Sequence, residues 1–539
     1  MKRKIFSMLA LVLAFSLLCG CSDNTSFTLK DLTSYLTGQD QTDTQEPQQT
    51  DTQEPDPPMA ADAVLNAAES LDVLHLAYQE SYGLNPFTTV SLCNRAISSL
   101  LFEPLYLVTA NFEAEPVLAE SLTVSDDGRT TTVTLRSGVK FHSGKTLTAQ
   151  DVVYSYETAK ASDYYGNRFI HVDTVTAQDD RTVVFATDTA YESLALLLDF
   201  PIVRDGTGEQ AVPDGTGPFV YSNTLKLNHF ENWHGTDWPI PCSYAELTPC
   251  DTAADIRDQF EYSQVDLVWT DPNSSAHATF HNDSEIWYSP TTVMQYIGFN
   301  TNTKAFSNPA VRACITYAID RDTIVAEDMK GYAEAASLPA SPRSACYDSG
   351  LAAKYDYDLD DFQAALDAAQ IQDYTADGIL DVYYKGYAVP LEGTMIVSAG
   401  NTQRRLTATR IADDLNALGF HITVQVLEED TFQTALRYGN YDLYYTEMRM
   451  SANFDLGSFF RNGGSAAYGG LENGAVVNLC AAMLENSGNA YDLHKRIMDQ
   501  GYLCPVVFKT YAVYTTRGAA KDLEPALDWV VHGAGGTQS

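Results

Sequence analysis

The run with the most chemistry in it is Glu447-Met448-Arg449-Met450-Ser451-Ala452-Asn453-Phe454-Asp455. Arg449 carries a planar guanidinium that can grip a carboxylate through two parallel N–H donors. The plainer alternative is a solvated or salt-bridged arginine. Asp455 either accepts an amine or caps the helix that follows. Met448 and Met450 furnish an adaptable apolar wall. A second acidic run, Glu428-Glu429-Asp430, has the residue types for acid and base work. It stands at a strand-to-helix junction, however, where negative charge is favoured anyway. The chain contains no Gly-x-Ser-x-Gly, no His-Glu-x-x-His and no dinucleotide fingerprint after a strand. Its ten His show no repeated metal spacing, and lone His142 beside a turn reads as structural. No metal and no cofactor is expected. The Gly-rich stretch 213–219 lacks the Lys-Ser/Thr of a phosphate loop.

These residues need elements to position them. Residues 395–398 read as a strand, followed by a loop at 399–403 and a helix with Ala408, Ile411, Ala412, Leu415 and Leu418 on one face and Gly419 as its stop. A strand at 421–427, a helix at 431–438 and a strand at 442–448 complete a parallel α/β lobe with right-handed connections. Ligands collect where such strands end, which is where Ser398, Asn401, Arg449, Met450, Asn453 and Asp455 stand. Further upstream, 295–301 alternates as a buried strand, and Asn308-Pro309 is a strong helix start. Val311, Cys314, Ile315 and Ala318 then share one apolar face of a helix running to 319. We read this strand as leaving one lobe and the helix as opening the next, with Tyr296 and Asn300 near the crossing.

The first lobe begins with a strand at 73–78, and Asn85 follows on an Asn-Pro turn, either as a ligand group or as a shaper of the turn. A helix is expected over 91–106. Asp126-Asp127-Gly128-Arg129 turns between strands 121–124 and 130–135, and Thr148 with Asp151 caps a helix at 152–161. Residues 373–381 resemble a calcium loop, but the downstream bidentate Glu is not in place, so an Asp-Gly turn is expected.

At 539 residues the chain is longer than one core usually serves, so two lobes or more are expected. A formal charge of −38 repels phosphate backbones, which disfavours nucleic acid. Residues 1–4 are basic and 5–18 apolar, a secretory signal too short to span a bilayer. Residues 22–66 are poor in large apolar side chains and repeat Gln-Thr-Asp-Thr-Gln-Glu-Pro, the composition of a disordered tether that spans about 35–40 Å. Nine Cys include no C-x-x-C pair; Cys314 and Cys480 read as small core residues, and Cys242 with Cys250 is a candidate disulfide.

Two resemblances add to this reading. Leu18-Cys19-Gly20-Cys21-Ser22 resembles the bacterial lipobox, which implies that Cys21 is acylated and that the protein is anchored on the extracytoplasmic face of the bacterial cell membrane. Leu118-Ala119-Glu120-Ser121, Ser125-Asp126-Asp127-Gly128, the block 135–144 and Leu147-Thr148-Ala149-Gln150-Asp151-Val152-Val153 resemble, in order and spacing, the family 5 extracellular solute-binding proteins of peptide and nickel ABC importers. The resemblance covers the chain from about Leu71 onward. It implies an α/β, two-lobed periplasmic-binding-protein-like fold of type II, in the large cluster with an extra subdomain in the first lobe. Its parts would be a signal peptide at 1–21, the tether at 22–66, lobe I at 67–295 with an insertion at roughly 105–205, lobe II at 296–499, and a return segment at 500–539. The crossings between lobes would be 296–301 and about 500–503.

The function implied is a monomeric, non-enzymatic receptor that takes an oligopeptide or similar small solute to the permease subunits of an ABC importer. By the same resemblance, the family's ammonium-binding Asp falls near Ala452 and an aromatic position near Arg449, a departure from the usual dipeptide mode. A metal or metallophore receptor of the same family is the nearest alternative, and an extracytoplasmic hydrolase built on the acidic residues is one from another class.

Overall fold

The computed structural model of the protein describes residues 71–235, 242–275, 277, 279–520 and 523–531. The signal segment with Cys21 and the tether at 22–66 lie outside the described residues. Among the described residues eleven strands join one sheet. They are β1 (Leu71–Tyr78), β2 (Phe219–Tyr221), β3 (Lys226–His229), β4 (Cys242–Pro249), β5 (Leu267–Thr270), β6 (Ser284–Phe299), β7 (Ala333–Ala335), β8 (Glu392–Ser398), β9 (His421–Leu427), β10 (Leu443–Arg449) and β11 (Leu503–Thr516). Their order is β9-β8-β10-β6-β11-β5-β1-β4-β3-β2, with β7 on β11.

One end of this sheet is lobe II, where β8 runs parallel to both β9 and β10. Helices Thr402–Ala417 and Glu429–Tyr438 make the crossovers. The first of these buries Thr407, Ala408, Ile411, Ala412 and Leu415 against the sheet. Gly419 then ends the helical segment at φ +96, a conformation that costs a residue with a Cβ. The other end is lobe I, where β1 runs parallel to β4 and β5. Lobe I also carries a separate antiparallel sheet of Ala119–Val124, Thr130–Leu135, Thr182–Thr187 and Val172–Asp179, in that spatial order. Helix Ala149–Ala161 packs on it behind the expected Thr148–Asp151 capping box.

Between the lobes run β6 and β11, antiparallel to each other along nearly their whole length. The C-terminal half of β6 pairs with β10 of lobe II, Val293 through Phe299 against Arg449 through Leu443. The C-terminal half of β11 pairs with β5 of lobe I. Register breaks between Pro290 and Met294, and again after Gln295. The change of lobe therefore falls at 290–294, upstream of the 296–301 stretch, which is already inside the lobe II sheet. On β11 it falls opposite, near 508–510, downstream of 500–503. Alternation along a strand reports burial of its faces; which neighbour it pairs with is a non-local matter.

Three local readings are corrected. The helix expected over 91–106 is Leu92–Leu101, with the Ser91 hydroxyl accepting the Asn94 N–H at 3.2 Å. Pro104 has no N–H to continue a helix, and Tyr106–Val108 is a strand. The helix from Pro309 runs only to Cys314 before tightening to a 3₁₀ turn at Ile315–Ala318, although Val311, Cys314, Ile315 and Ala318 are all buried as expected. Cys242 and Cys250 are free thiols, not a disulfide. Cys242 opens β4 and Cys250 follows its last residue, and eight residues of strand span about 26 Å, far beyond the reach of an S–S bond.

Candidate functional site

Because β10 ends at Arg449 beside the register break of β6, the residues after it face lobe I. Arg449 Nη1 donates to the Tyr164 hydroxyl at 2.6 Å, and its Cζ lies 4.8 Å from the centre of the Tyr164 ring. Tyr164 belongs to lobe I, in the segment after helix Ala149–Ala161. Its hydroxyl donates in turn to Asp528 Oδ1 at 2.5 Å, and Arg95 Cζ stands 3.3 Å from the same ring centre. Arg95 and Asp528 are 3.8 Å apart, both buried. Burial pushes the Tyr164 phenol up to about 12, so it stays a neutral donor. Contact with Tyr164 partly desolvates the Arg449 cation although the residue keeps an exposed face, and the oxygens of Tyr164, Tyr511 and Asp528 outweigh that and hold it above its ordinary value.

Four residues after Arg449, Asn453 Nδ2 donates to the Tyr191 hydroxyl at 2.7 Å, again across the seam. Asp455 accepts the Gly457 N–H at 2.8 Å, at the first residue of helix Gly457–Phe460, whose N-cap position is Leu456. Its Oδ2 also lies 3.7 Å from His171 Nε2 in lobe I and 4.0 Å from Arg461 Nη2. Burial would raise the Asp455 carboxyl, yet His171, the Gly457 amide and Arg461 hold it below the usual range. His171 also bonds Asp188 at 2.8 Å, and these carboxylates hold its imidazole above its ordinary value against the effect of burial.

A third group lies where the two long strands cross. Lys509 on β11, 2% exposed, donates to Asp271 Oδ2 of lobe I at 2.5 Å and lies 3.5 Å from Glu447 Oε2 of lobe II. Glu447 also accepts from Gln295 Nε2 at 3.1 Å. Beyond it, Asn401 caps helix Thr402–Ala417 through Oδ1 and reaches across with Nδ2 to the Asn273 carbonyl at 3.1 Å. Ser275 Oγ donates to the Gly400 carbonyl at 3.1 Å beside it.

The structure thus brings Asn401, Arg449, Asn453 and Asp455 to one seam between lobes. Ser398 sits at the edge of it, donating to Glu429 Oε2 at 2.5 Å. Asn85, Tyr296 and Asn300 lie in the packed interior instead. Asn85 Nδ2 donates to the carbonyls of Gly208 and Gln210 at 2.7 and 2.8 Å. Asn300 Nδ2 donates to those of Gly439 and Tyr441, both at 3.0 Å. Tyr296 packs edge-on against Tyr444 and Phe459, and Met450 is buried in the same cluster. Gly298 makes room there, since a Cβ on it would meet the Tyr444 ring at 2.0 Å. His142 is structural, with Nε2 3.0 Å from the Gly217 carbonyl. The acidic turn at 373–381 closes on itself, Asp373 accepting the Gly378 N–H at 2.9 Å. Sequence reasoning passed over Arg95, Tyr164, His171, Lys509 and Asp528. A visible signal existed for one of them: a charge inside an otherwise apolar run, Lys509 in Val506-Val507-Phe508-Lys509.

Among the described residues no group of three or more His, Cys, Asp or Glu is placed to hold a metal ion, and no helix is long and apolar enough to cross a membrane. Two lobes joined by two strands, with polar side chains meeting across the seam, define a two-lobed binding protein. The sequence profile of the bacterial extracellular solute-binding proteins, family 5 (middle), matches residues 113–469, more than half of the chain. The protein belongs to that family.

The oligopeptide-binding protein AppA of Bacillus subtilis (strain 168) is 26% identical over 371 residues, 64% of this chain and 67% of AppA. The glutathione-binding protein GsiB of Salmonella typhi is 26% identical over 300 residues, 52% of this chain and 58% of GsiB, so the match spans less than two thirds of that relative. Among solved structures, the unliganded open form of the periplasmic murein tripeptide binding protein MppA superimposes with a TM-score of 0.68 at 17% identity, covering 86% of this chain and 97% of that one. At that identity the likeness is one of fold.

Proposed function

We propose that the protein is a lipid-anchored, extracytoplasmic receptor that closes two lobes over an oligopeptide or similar small solute and hands it to the permease of an ABC importer. The observation that carries this reading is the seam. Side chains of lobe II meet partners in lobe I at Arg449–Tyr164, Asn453–Tyr191 and Asn401–Asn273, while β6 and β11 join the lobes through a break in register at 290–294. Such a joint bends with little loss of pairing, and a solute that touches both lobes favours the closed state. The relatives named as binding oligopeptides and glutathione support a peptide-like cargo, and the extended backbone of a peptide suits recognition through main-chain hydrogen bonds.

The test is titration of the purified protein with a pool of three- to nine-residue peptides, following Trp and Tyr fluorescence, with native mass spectrometry of the recovered complex. Saturable binding with the ligand mass unchanged is expected. Hydrolysis of a bound peptide, or saturation by metal chelates alone, would refute the reading.

A further inference from the structure

The charges along the seam are not balanced, and the imbalance bears on what the cleft accepts. Among the described residues the carboxylates that stand there are each already engaged, Asp188 with His171 and Glu192 with the Ser487 N–H among them. Asp271 and Glu447 share Lys509. Asp528 takes the Tyr164 hydroxyl and faces Arg95. Asp455, its side chain 10% exposed, takes the Gly457 amide and faces His171 and Arg461. A ligand ammonium arriving at any of these meets a carboxylate already engaged by a protein donor, which weakens what it can gain there.

Arg449 is in the opposite position. Its side chain is exposed, and among the described residues no carboxylate lies within 4 Å of its guanidinium. One of its five N–H donors is spent on Tyr164, a neutral oxygen. The ring of Tyr164 and the hydrogen bond to its hydroxyl fix the plane of the guanidinium, so little side-chain freedom remains to be lost when an anion docks. The neighbouring positions add no acid, since Ser451, Ala452 and Asn453 are all neutral.

Resting on the receptor reading above, we infer that the cleft selects solutes by a carboxylate held on Arg449 and makes no demand for a free ammonium. The cargo class is acidic or N-blocked: a peptide held by its carboxylate end, or another small carboxylic acid.

The probes are one pool of tetrapeptides with uncharged side chains in three forms, with free termini, N-acetylated and C-amidated, together with citrate and succinate. Binding is measured by calorimetry on the wild-type protein, on Arg449→Met and on Arg449→Lys. The N-acetylated pool is expected to bind within about threefold of the free pool. Amidation is expected to weaken binding about ten- to a hundredfold, the usual loss for a hydrogen bond to a charged group. Arg449→Met should erase the difference between acid and amide, and Arg449→Lys should restore part of it, which separates loss of charge from loss of fold.

The inference is overturned if the amidated pool binds as tightly as the acid, if N-acetylation costs more than amidation, if Arg449→Met keeps the discrimination, or if no carboxylate-bearing probe binds. Tight binding of the amidated pool would leave the peptide receptor standing and remove the anion selectivity. Binding of the non-peptide acids alone, lost in Arg449→Met, would support the selectivity and remove the peptide reading.

Discussion

Lys509 shows how much one residue can hold. Its ammonium is buried on an apolar strand and reaches an acid from each lobe, Asp271 and Glu447. Burial alone would lower its pKa, but the two carboxylates more than offset that and hold it above the usual lysine value. Removing one partner of such a group leaves the others charged and unpaired, which costs about 3–5 kcal/mol. Lys509→Met should therefore lower the denaturation midpoint strongly, and Lys509→Met combined with Glu447→Gln should recover part of the loss. Equilibrium denaturation of the single and double variants checks this; additive losses would show that the charges act independently.

At the scale of the element, helix Ala490–Asp499 buries His494 completely, with neither ring nitrogen bonded to a protein group among the described residues. Burial pushes its pKa down to about 4. The sign follows from proton counting. Between that value and the unfolded value near 6.5 the unfolded chain binds the extra proton, so stability is full above about pH 6.5 and is lost as pH falls toward 4. The loss from this one group is about 3 kcal/mol. A denaturation series from pH 7 to 4 on wild type and His494→Leu should show a shallower slope in the variant; parallel slopes would assign the dependence to other groups.

Elements were largely legible before tertiary structure was known. The helix at 402–417, the capping box at Thr148–Asp151 and the parallel run of lobe II follow from periodicity and cap chemistry, which act within a few residues. Where the helix after Pro309 tightens early, Arg312 is bonded to the carbonyls of Phe306, Gln500 and Gly501, two of them from the far end of the chain. No local rule contains that contact.

On the scale of the whole molecule, closure is a balance of a few bonds across the seam. Asn453→Ala removes the bond to Tyr191. A hydrogen bond of that kind is worth about 1 kcal/mol, so solute affinity should fall about fivefold while the fold persists. Calorimetry gives the affinity, and small-angle scattering should show the wild type contracting on binding and the variant needing more solute to do so. Unchanged affinity would mean that the Tyr191 contact does not favour the closed state.

The sequence by itself determined the family, the two-lobed α/β class and the elements of lobe II, because order, spacing and local periodicity survive without coordinates. Tertiary structure alone decided where the chain changes lobe, that Cys242 and Cys250 stand too far apart to bridge, and that Asp455 is already engaged while Arg449 has no carboxylate within 4 Å among the described residues. Each of those depends on strand pairing and on partners hundreds of residues away, such as Tyr164 for Arg449 and Asp271 for Lys509. A side chain's type sets what it can bind. What it has already bound is settled by the fold.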